Sequence, residues 1–294
     1  MKSSEIASLL HLDLHGEDIE VNRYATLYNI KENSIIFVKK FSDEYLEKLN
    51  TCGFKFLAIV LSDYCDKVNC SYIISKDPRL DFIRVLSNFF VNKEDHIGIH
   101  PSAVICTTAK IGEDVFVGAN CYIGENVSIG DRTKIFPNTV VMDDTIIGKD
   151  CYIKSGVVIG QAGFGFENDE NGIPVHFPHL GKVIIGNGVY IGANTAIDIA
   201  TLEDTHIADN AKIDNLVHIA HNVHIDECSL VIAHAMIGGG VHIGKRCWIS
   251  PNVSIKQQLK IGDDALLGMG AVIIHDVDND TVIVGNPGKL LVKK

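Results

Sequence analysis

No apolar run in this 294-residue chain approaches the roughly 18 residues a membrane-spanning helix needs, and residues 1–20 lack the order of a secretory signal. A cytoplasmic protein with no membrane span is expected. Positive charge is scarce and scattered, with 26 Lys+Arg against 37 Asp+Glu and a formal charge of −11. Without a basic cluster there is no footprint for a phosphate backbone, so nucleic acid is not an expected partner. No C-x-x-C pair occurs, and eight cysteines are too few to staple a chain of this length, so the thiols are expected to be reduced.

What is present in excess is a six-residue rhythm. From Ile99 every sixth residue is aliphatic through Ile105, Ile111, Val117, Ile123 and onward to Ile159. The rule resumes at Ile185, Ile191 and Ile197, skips four extra residues, and then runs from Ile207 to Ile273. A period of six fits neither the 3.6 of a helix nor the 2 of a long strand, but it suits short strands joined by tight corners into a parallel β-helix. Three hexads make one coil of 18 residues, and stacked coils bury the aliphatics that one repeat could not bury alone. Gly often follows the aliphatic, as at Gly112, Gly118 and Gly124, which predicts a sharp corner there. Cys121, Cys151 and Cys247 each stand two residues before a repeat aliphatic, where a small inward-facing side chain is wanted.

This pattern resembles the hexapeptide-repeat acyltransferases, and the resemblance implies a mainly β fold whose β-helix is left-handed. Residues 97–275 are assigned to it, with 160–182 read as an ejected loop and 276–294 as a C-terminal tail. Residues 1–96 lack the hexads and read as a small α/β nucleotide-binding domain. A helix carrying Ile6, Leu9 and Leu10 is expected to stop near Gly16, strands are expected at 34–38 and 56–61, and a helix starts at Asp77-Pro78.

Among 13 histidines, spacing does the sorting. His206, His224 and His242 are 18 residues apart, one per coil, and predict an outward ladder. The zinc-dependent hydratases on similar β-helices resemble a different ligand spacing, so no metal is assigned. His221 stands two residues after a repeat aliphatic, toward a corner, and one coil later its counterpart is Gly239 inside Gly238-Gly239-Gly240. An imidazole beside a bare backbone amide can serve acyl transfer as base and oxyanion donor, or can be a surface histidine near a turn.

Three segments are similar to the UDP-3-O-acylglucosamine N-acyltransferases of lipid A synthesis: Ile219-Ala220-His221-Asn222, Gly160-Gln161-Ala162-Gly163-Phe164-Gly165-Phe166, and Ile197-Asp198 through Thr205. The resemblance implies His221 as general base, the Gly239 amide as oxyanion donor and Asn222 beside the base. It also implies a homotrimer with no permanently bound cofactor. Departures are present. The family's Asp-Arg-Gly reads Asp198-Ile199-Ala200, its second histidine falls at Gln258, and its uridine segment is replaced around Lys39 to Tyr45, where Phe41 or Tyr45 could stack on a base. The family's C-terminal helices are lacking, and the ending Val284-Gly285-Asn286-Pro287-Gly288-Lys289 looks like the tail of acetyl-coenzyme A-dependent sugar acetyltransferases.

The expected function is therefore N-acyl transfer to a nucleotide-linked amino sugar in surface polysaccharide or lipopolysaccharide synthesis. The favoured co-substrate is acyl-CoA, with Gly238, Gly240 and Lys289 toward the donor, and Phe41, Tyr45, Phe164, Phe166, Asp198 and Gln258 toward the acceptor. The alternatives are the lipid A N-acyltransferase with an acyl carrier protein phosphopantetheine donor, a sugar O-acetyltransferase, a zinc hydratase and a purely structural β-helix.

Overall fold

In the computed structural model, which describes residues 1–91 and 97–291, the hexads become strands mostly of two residues. Each pairs in parallel with the strand one coil away: Tyr122–Ile123 faces Val140–Val141, and His218–Ile219 faces Met236–Ile237. The strands align into nine-, eight- and eleven-stranded sheets, each coil contributing one strand to each, in a left-handed β-helix. Ile123, Ile135, Ile219, Ile237 and Ile255 are fully buried in one continuous cluster. Each such aliphatic contributes roughly 1.5–3 kcal/mol from burial.

The position two residues before the aliphatic does more than stay small. Thr133 Oγ1 donates to the Gly148 carbonyl at 2.8 Å and Ser229 Oγ to Gly244 at 2.6 Å. The buried thiols do the same, Cys121 Sγ to Phe136 at 3.2 Å and Cys247 Sγ to Gly262 at 3.0 Å. Burial pushes both thiols above their ordinary pKa. They act as weak hydroxyl substitutes that satisfy buried carbonyls.

The corner glycines need a correction. Backbone with positive φ lies two residues later, at Asn126 (φ 56), Asn222 (φ 60) and Gln258 (φ 61). The glycine after the aliphatic is required by the next coil instead: a Cβ on Gly124 would stand 2.8 Å from the Asp143 amide nitrogen.

Two interruptions matter for function. The segment expected to be a loop leaves the nine-stranded sheet after Val158–Gln161 and forms a hairpin, Phe166–Asn168 against Pro174–His176, before the chain re-enters the β-helix in the eight-stranded sheet at Lys182–Ile185. The four extra residues fall after Ala196–Asp198, and the rhythm returns with Asp204–Ile207. Beyond Ile273 the chain stays on the β-helix: Val282–Val284 pairs with Leu266–Leu267, Lys289–Leu291 folds back on it, and Gly288 N donates to the Val272 carbonyl at 2.8 Å.

The chain divides into two compact units, Met1–Glu94 and Asp95–Lys294. The expected boundary at residue 96 lies outside the described residues. The first unit has α1 (Ser3–Leu10), β1 (Leu14–His15), β2 (Arg23–Tyr24), β3 (Ser34–Phe37), α2 (Asp43–Thr51), β4 (Phe56–Val60), β5 (Ser71–Ile74) and α3 (Pro78–Phe89). Its sheet order is β1-β5-β4-β3-β2, parallel except for β1. Ile35, Leu57 and Ile59 pack on one face and Ile36, Phe56 and Ala58 on the other, as a parallel sheet covered on both sides requires. Helix α1 ends earlier than expected because His11 adopts φ 54, and Leu14–His15 joins the sheet. Helix α3 starts as expected, the Asp77 side chain accepting from Leu80 N at 3.1 Å. Helix α2, capped by Ser42, was not anticipated; it turns Tyr45 into a helical residue.

Candidate active site

The corner after His218–Ile219 carries His221, and the neighbouring coils build a fixed environment around it. Asn222, in the left-handed conformation that asparagine tolerates, places its Oδ1 2.9 Å from His221 Nδ1. The same oxygen accepts from Thr201 N at 3.1 Å and Thr201 Oγ1 at 3.0 Å. A backbone N–H can only donate, so this atom is the amide oxygen, and His221 Nδ1 carries the proton. In the neutral ring Nε2 is then the nitrogen with the free lone pair. It faces the next coil, where a Cβ on Gly239 would stand 2.8 Å from it.

Two backbone amides are open here. At several comparable corners the N–H two residues past the aliphatic is capped by the next coil, as Glu125 N is by Asp143 Oδ1 and Lys245 N by Asp263 Oδ1, both at 2.8 Å. The residue one coil past His221 is Gly239, which has no side chain to offer. Among the described residues, neither the His221 nor the Gly239 N–H donates a hydrogen bond. An imidazole lone pair adjoining uncapped amides can accept a proton while an amide holds a developing oxyanion.

The ejected hairpin covers this corner. Phe166 packs on Phe164 with centroids 4.9 Å apart and on His176 at 5.1 Å, and Phe164 is 89% exposed. His179 touches the His221 ring. Asp198 is buried on the preceding coil, its Oδ2 3.9 Å from His218 Nε2. Burial pushes its carboxyl above the usual range, with His218 and His221 pulling the other way.

Of the other sequence-selected residues, Gly238 and Gly240 flank Gly239. Gly238 is required by space, since a Cβ would come 2.6 Å from the Gln257 amide nitrogen, and Gly240 takes φ 70. Gln258 N donates to the Gly239 carbonyl at 2.8 Å, and the side chain stacks over Gly240 rather than on His221. Lys289 lies in the eleven-stranded sheet on the last coil, whereas His221 follows the nine-stranded sheet three coils earlier. In the first unit Tyr45 lines a cleft of about 790 Å³ with Tyr24, Tyr28, Lys39 and Lys40. Phe41 is not in that lining; it packs on Tyr64 with centroids 4.9 Å apart, under Lys67. The predicted histidine ladder forms, with His206, His224 and His242 at successive centroid spacings of 5.9 and 6.0 Å. Sequence reasoning missed Thr201, His176 and His179, because an 18-residue register cannot place residues of an insertion or a hairpin.

Comparison with known proteins bears on this geometry. The bacterial transferase hexapeptide (six repeats) matches residues 126–161 and 240–275, and the hexapeptide repeat of succinyl-transferase matches 108–142 and 182–217. The coils are hexapeptide repeats. The hexapeptide chain is 33% identical over 229 residues to the UDP-3-O-acylglucosamine N-acyltransferase of Cupriavidus pinatubonensis, covering 70% of this chain and 63% of that one. It is 42% identical over 188 residues to the enzyme of the same name from Delftia acidovorans, covering 64% and 56%. The chain thus spans less than two thirds of the length of these relatives. Among solved structures, LpxA from Acinetobacter baumannii superposes with a TM-score of 0.60 at 26% identity, covering 66% of this chain and 73% of that one. The Francisella novicida UDP-N-acetylglucosamine acyltransferase gives 0.61 at 26%, covering 66% and 70%. No helix among the described residues is long and apolar enough to cross a membrane.

Proposed function

We propose that the protein is an N-acyltransferase that moves an acyl group from a thioester to the amine of a UDP-linked amino sugar. The observation that carries the reading is the His221 Nε2 lone pair, set by the Asn222 and Thr201 hydrogen bonds, against the uncapped amide of Gly239. The amine attacks the thioester carbonyl, a C–N bond forms, and His221 Nε2 takes the amine proton. The Gly239 N–H holds the oxyanion, and collapse breaks the C–S bond while the imidazolium returns the proton to the leaving sulfur. Asn222 orients the ring without adding a carboxylate charge.

The names of the relatives favour UDP-3-O-acylglucosamine as acceptor, and hence an acyl carrier protein donor, over the acyl-CoA reading. The C-terminal ending that suggested coenzyme A has a structural use as the last pairing of the β-helix. The cleft around Tyr24, Tyr28 and Tyr45 offers aromatic faces and lysines suited to a nucleotide base and its phosphates. A cytoplasmic homotrimer is part of this reading. The O-acyl alternative is kept because a solved neighbour is a UDP-N-acetylglucosamine acyltransferase, whose acceptor nitrogen already carries an acetyl group.

The test is thiol release with acyl carrier protein and coenzyme A donors, using UDP-sugars that bear an amine or a hydroxyl at the acceptor position. Amine-dependent release from acyl carrier protein supports the reading. Release that persists with the hydroxyl acceptor alone moves it to O-acylation, and a preference for coenzyme A restores the other donor.

A further inference from the structure

The hairpin brings to His221 a second imidazole that the proposed reaction does not use. The rings of His179 and His221 meet nearly perpendicular, centroids 5.3 Å apart at 75°. Gly163 lies between them: a Cβ there would stand 2.9 Å from His179 Nε2 and 3.1 Å from His221 Cδ2. Any larger residue would drive the two rings apart. Behind His179 stacks His176, with centroids 5.3 Å apart at 23° and its Nε2 3.2 Å from the Gly163 carbonyl oxygen. His179 Nδ1 lies 2.8 Å from the Phe177 carbonyl oxygen and donates to it, which leaves Nε2 as a lone pair. That Nε2 is buried and has no hydrogen-bond partner among the described residues.

We propose that His179 is a positioning residue, packed through Gly163 against the His221 ring so that His221 Nε2 stays directed at Gly239 and water is kept off the ring's covered edge. The proposal deepens the reading of His221 as general base and rests on it. A hydrophobic residue could fill the same space, but the imidazole is tied to the Phe177 carbonyl, so its plane is set by the hairpin's own backbone. The surroundings also favour the uncharged ring. Burial, opposed by the Phe177 hydrogen bond and reinforced by His221 and His176, holds His179 below the ordinary histidine range. A charge there would oppose the imidazolium that His221 becomes on taking the amine proton. The other titratable groups around the pair are His176 on the hairpin, Asp198 on the preceding coil and His218 on the strand that leads to His221. Acidification that protonates His179 is therefore expected to cost activity.

The experiment uses the full chain with 15N-labelled histidine, as wild type, His179→Ala and His179→Gln. NMR without substrate reads the His221 tautomer and the solvent exchange of its Nδ1–H. Kinetics are read with the thioester that the wild type accepts. In His179→Ala the His221 Nδ1–H is expected to exchange faster while the ladder histidines His206, His224 and His242 are unchanged. The expected kcat falls by about tenfold or more, as for a misoriented catalytic group, with KM within about twofold. In His179→Gln, a planar side chain that does not titrate, kcat is expected to return to within about threefold, and the acid limb loses the His179 component. Unchanged Nδ1–H exchange in His179→Ala overturns the proposal, as does an unchanged kcat. If the wild type transfers no acyl group, the acyltransfer reading fails by itself, and the exchange measurement still decides whether His179 holds the His221 ring.

Discussion

The capped corners, most of them after the eight-stranded sheet, and the corner at His221, after the nine-stranded sheet, share one backbone plan and differ in what satisfies their amides. After the eight-stranded sheet, Glu113 N is capped by Asp131, Lys149 N by Asn187, Asn187 N by Asp209 and Lys245 N by Asp263. After the nine-stranded sheet Glu125 N is capped in the same way by Asp143, before the hairpin departs after Gln161. Two strands further on in that sheet stands His221, and three strands on stands Gly239, with their amides open. The first kind of corner holds coils together. The second keeps the backbone of a corner and removes its caps, which leaves hydrogen-bonding capacity for a ligand.

The sharpest way to break this contrast is at the base. His221→Ala is expected to lower the acyl-transfer rate by roughly 10²-fold or more, with an unchanged far-UV spectrum and Tm, measured by thiol release. Gly239→Asn should turn the special corner into an ordinary one, because the new side chain supplies the missing cap for the His221 amide and crowds its ring. A loss of roughly 10²-fold in kcat is expected, because the crowded ring is displaced from its place as base. Retained activity would show that the reaction needs neither the open His221 amide nor the bare Cα at Gly239. The mirror experiment, Asp263→Ala, strips the cap from Lys245 N and should cost about 1 kcal/mol of stability by denaturant titration with kcat intact, since only one hydrogen bond is lost.

The smallest effect concerns the histidine ladder on the other face. Burial, then His206 and His242, holds His224 below the ordinary histidine range, with Asp226 and Glu203 opposing. The folded state then binds its proton less readily than the unfolded chain does, so stability rises with pH through the ordinary histidine range and is lost as pH falls toward the folded pKa. A drop in Tm of about 2 °C or less is expected between neutral and mildly acidic pH. His224→Gln should flatten it, and an unflattened curve would assign the drop to other groups.

Much of this was legible because a solenoid repeats. The aliphatic of each hexad, the small residue two before it and the 18-residue register follow from period alone, so Ile219 over Ile237, the ladder and the pairing of His221 with Gly239 could be read before the fold was seen. The role of the corner glycines could not, because a glycine required by a neighbouring coil looks the same in sequence as one required by positive φ. Phe41 and Tyr45 looked equivalent as aromatic candidates. Helix α2 separates them, with Tyr45 in the cleft and Phe41 on Tyr64.

Local chemistry and spacing therefore determined the β-helix, the position of the proposed base and the glycine beside it, since burial of a periodic stripe is a nearest-neighbour property of the chain. The tertiary structure alone decided the rest. Thr201, displaced by a four-residue insertion, reaches Asn222 and settles which nitrogen of His221 carries the proton. The hairpin folds His179 back onto that ring through Gly163. Contacts made by segments that leave the repeat have no period to read, and their partners exist only once the chain has returned to the coil.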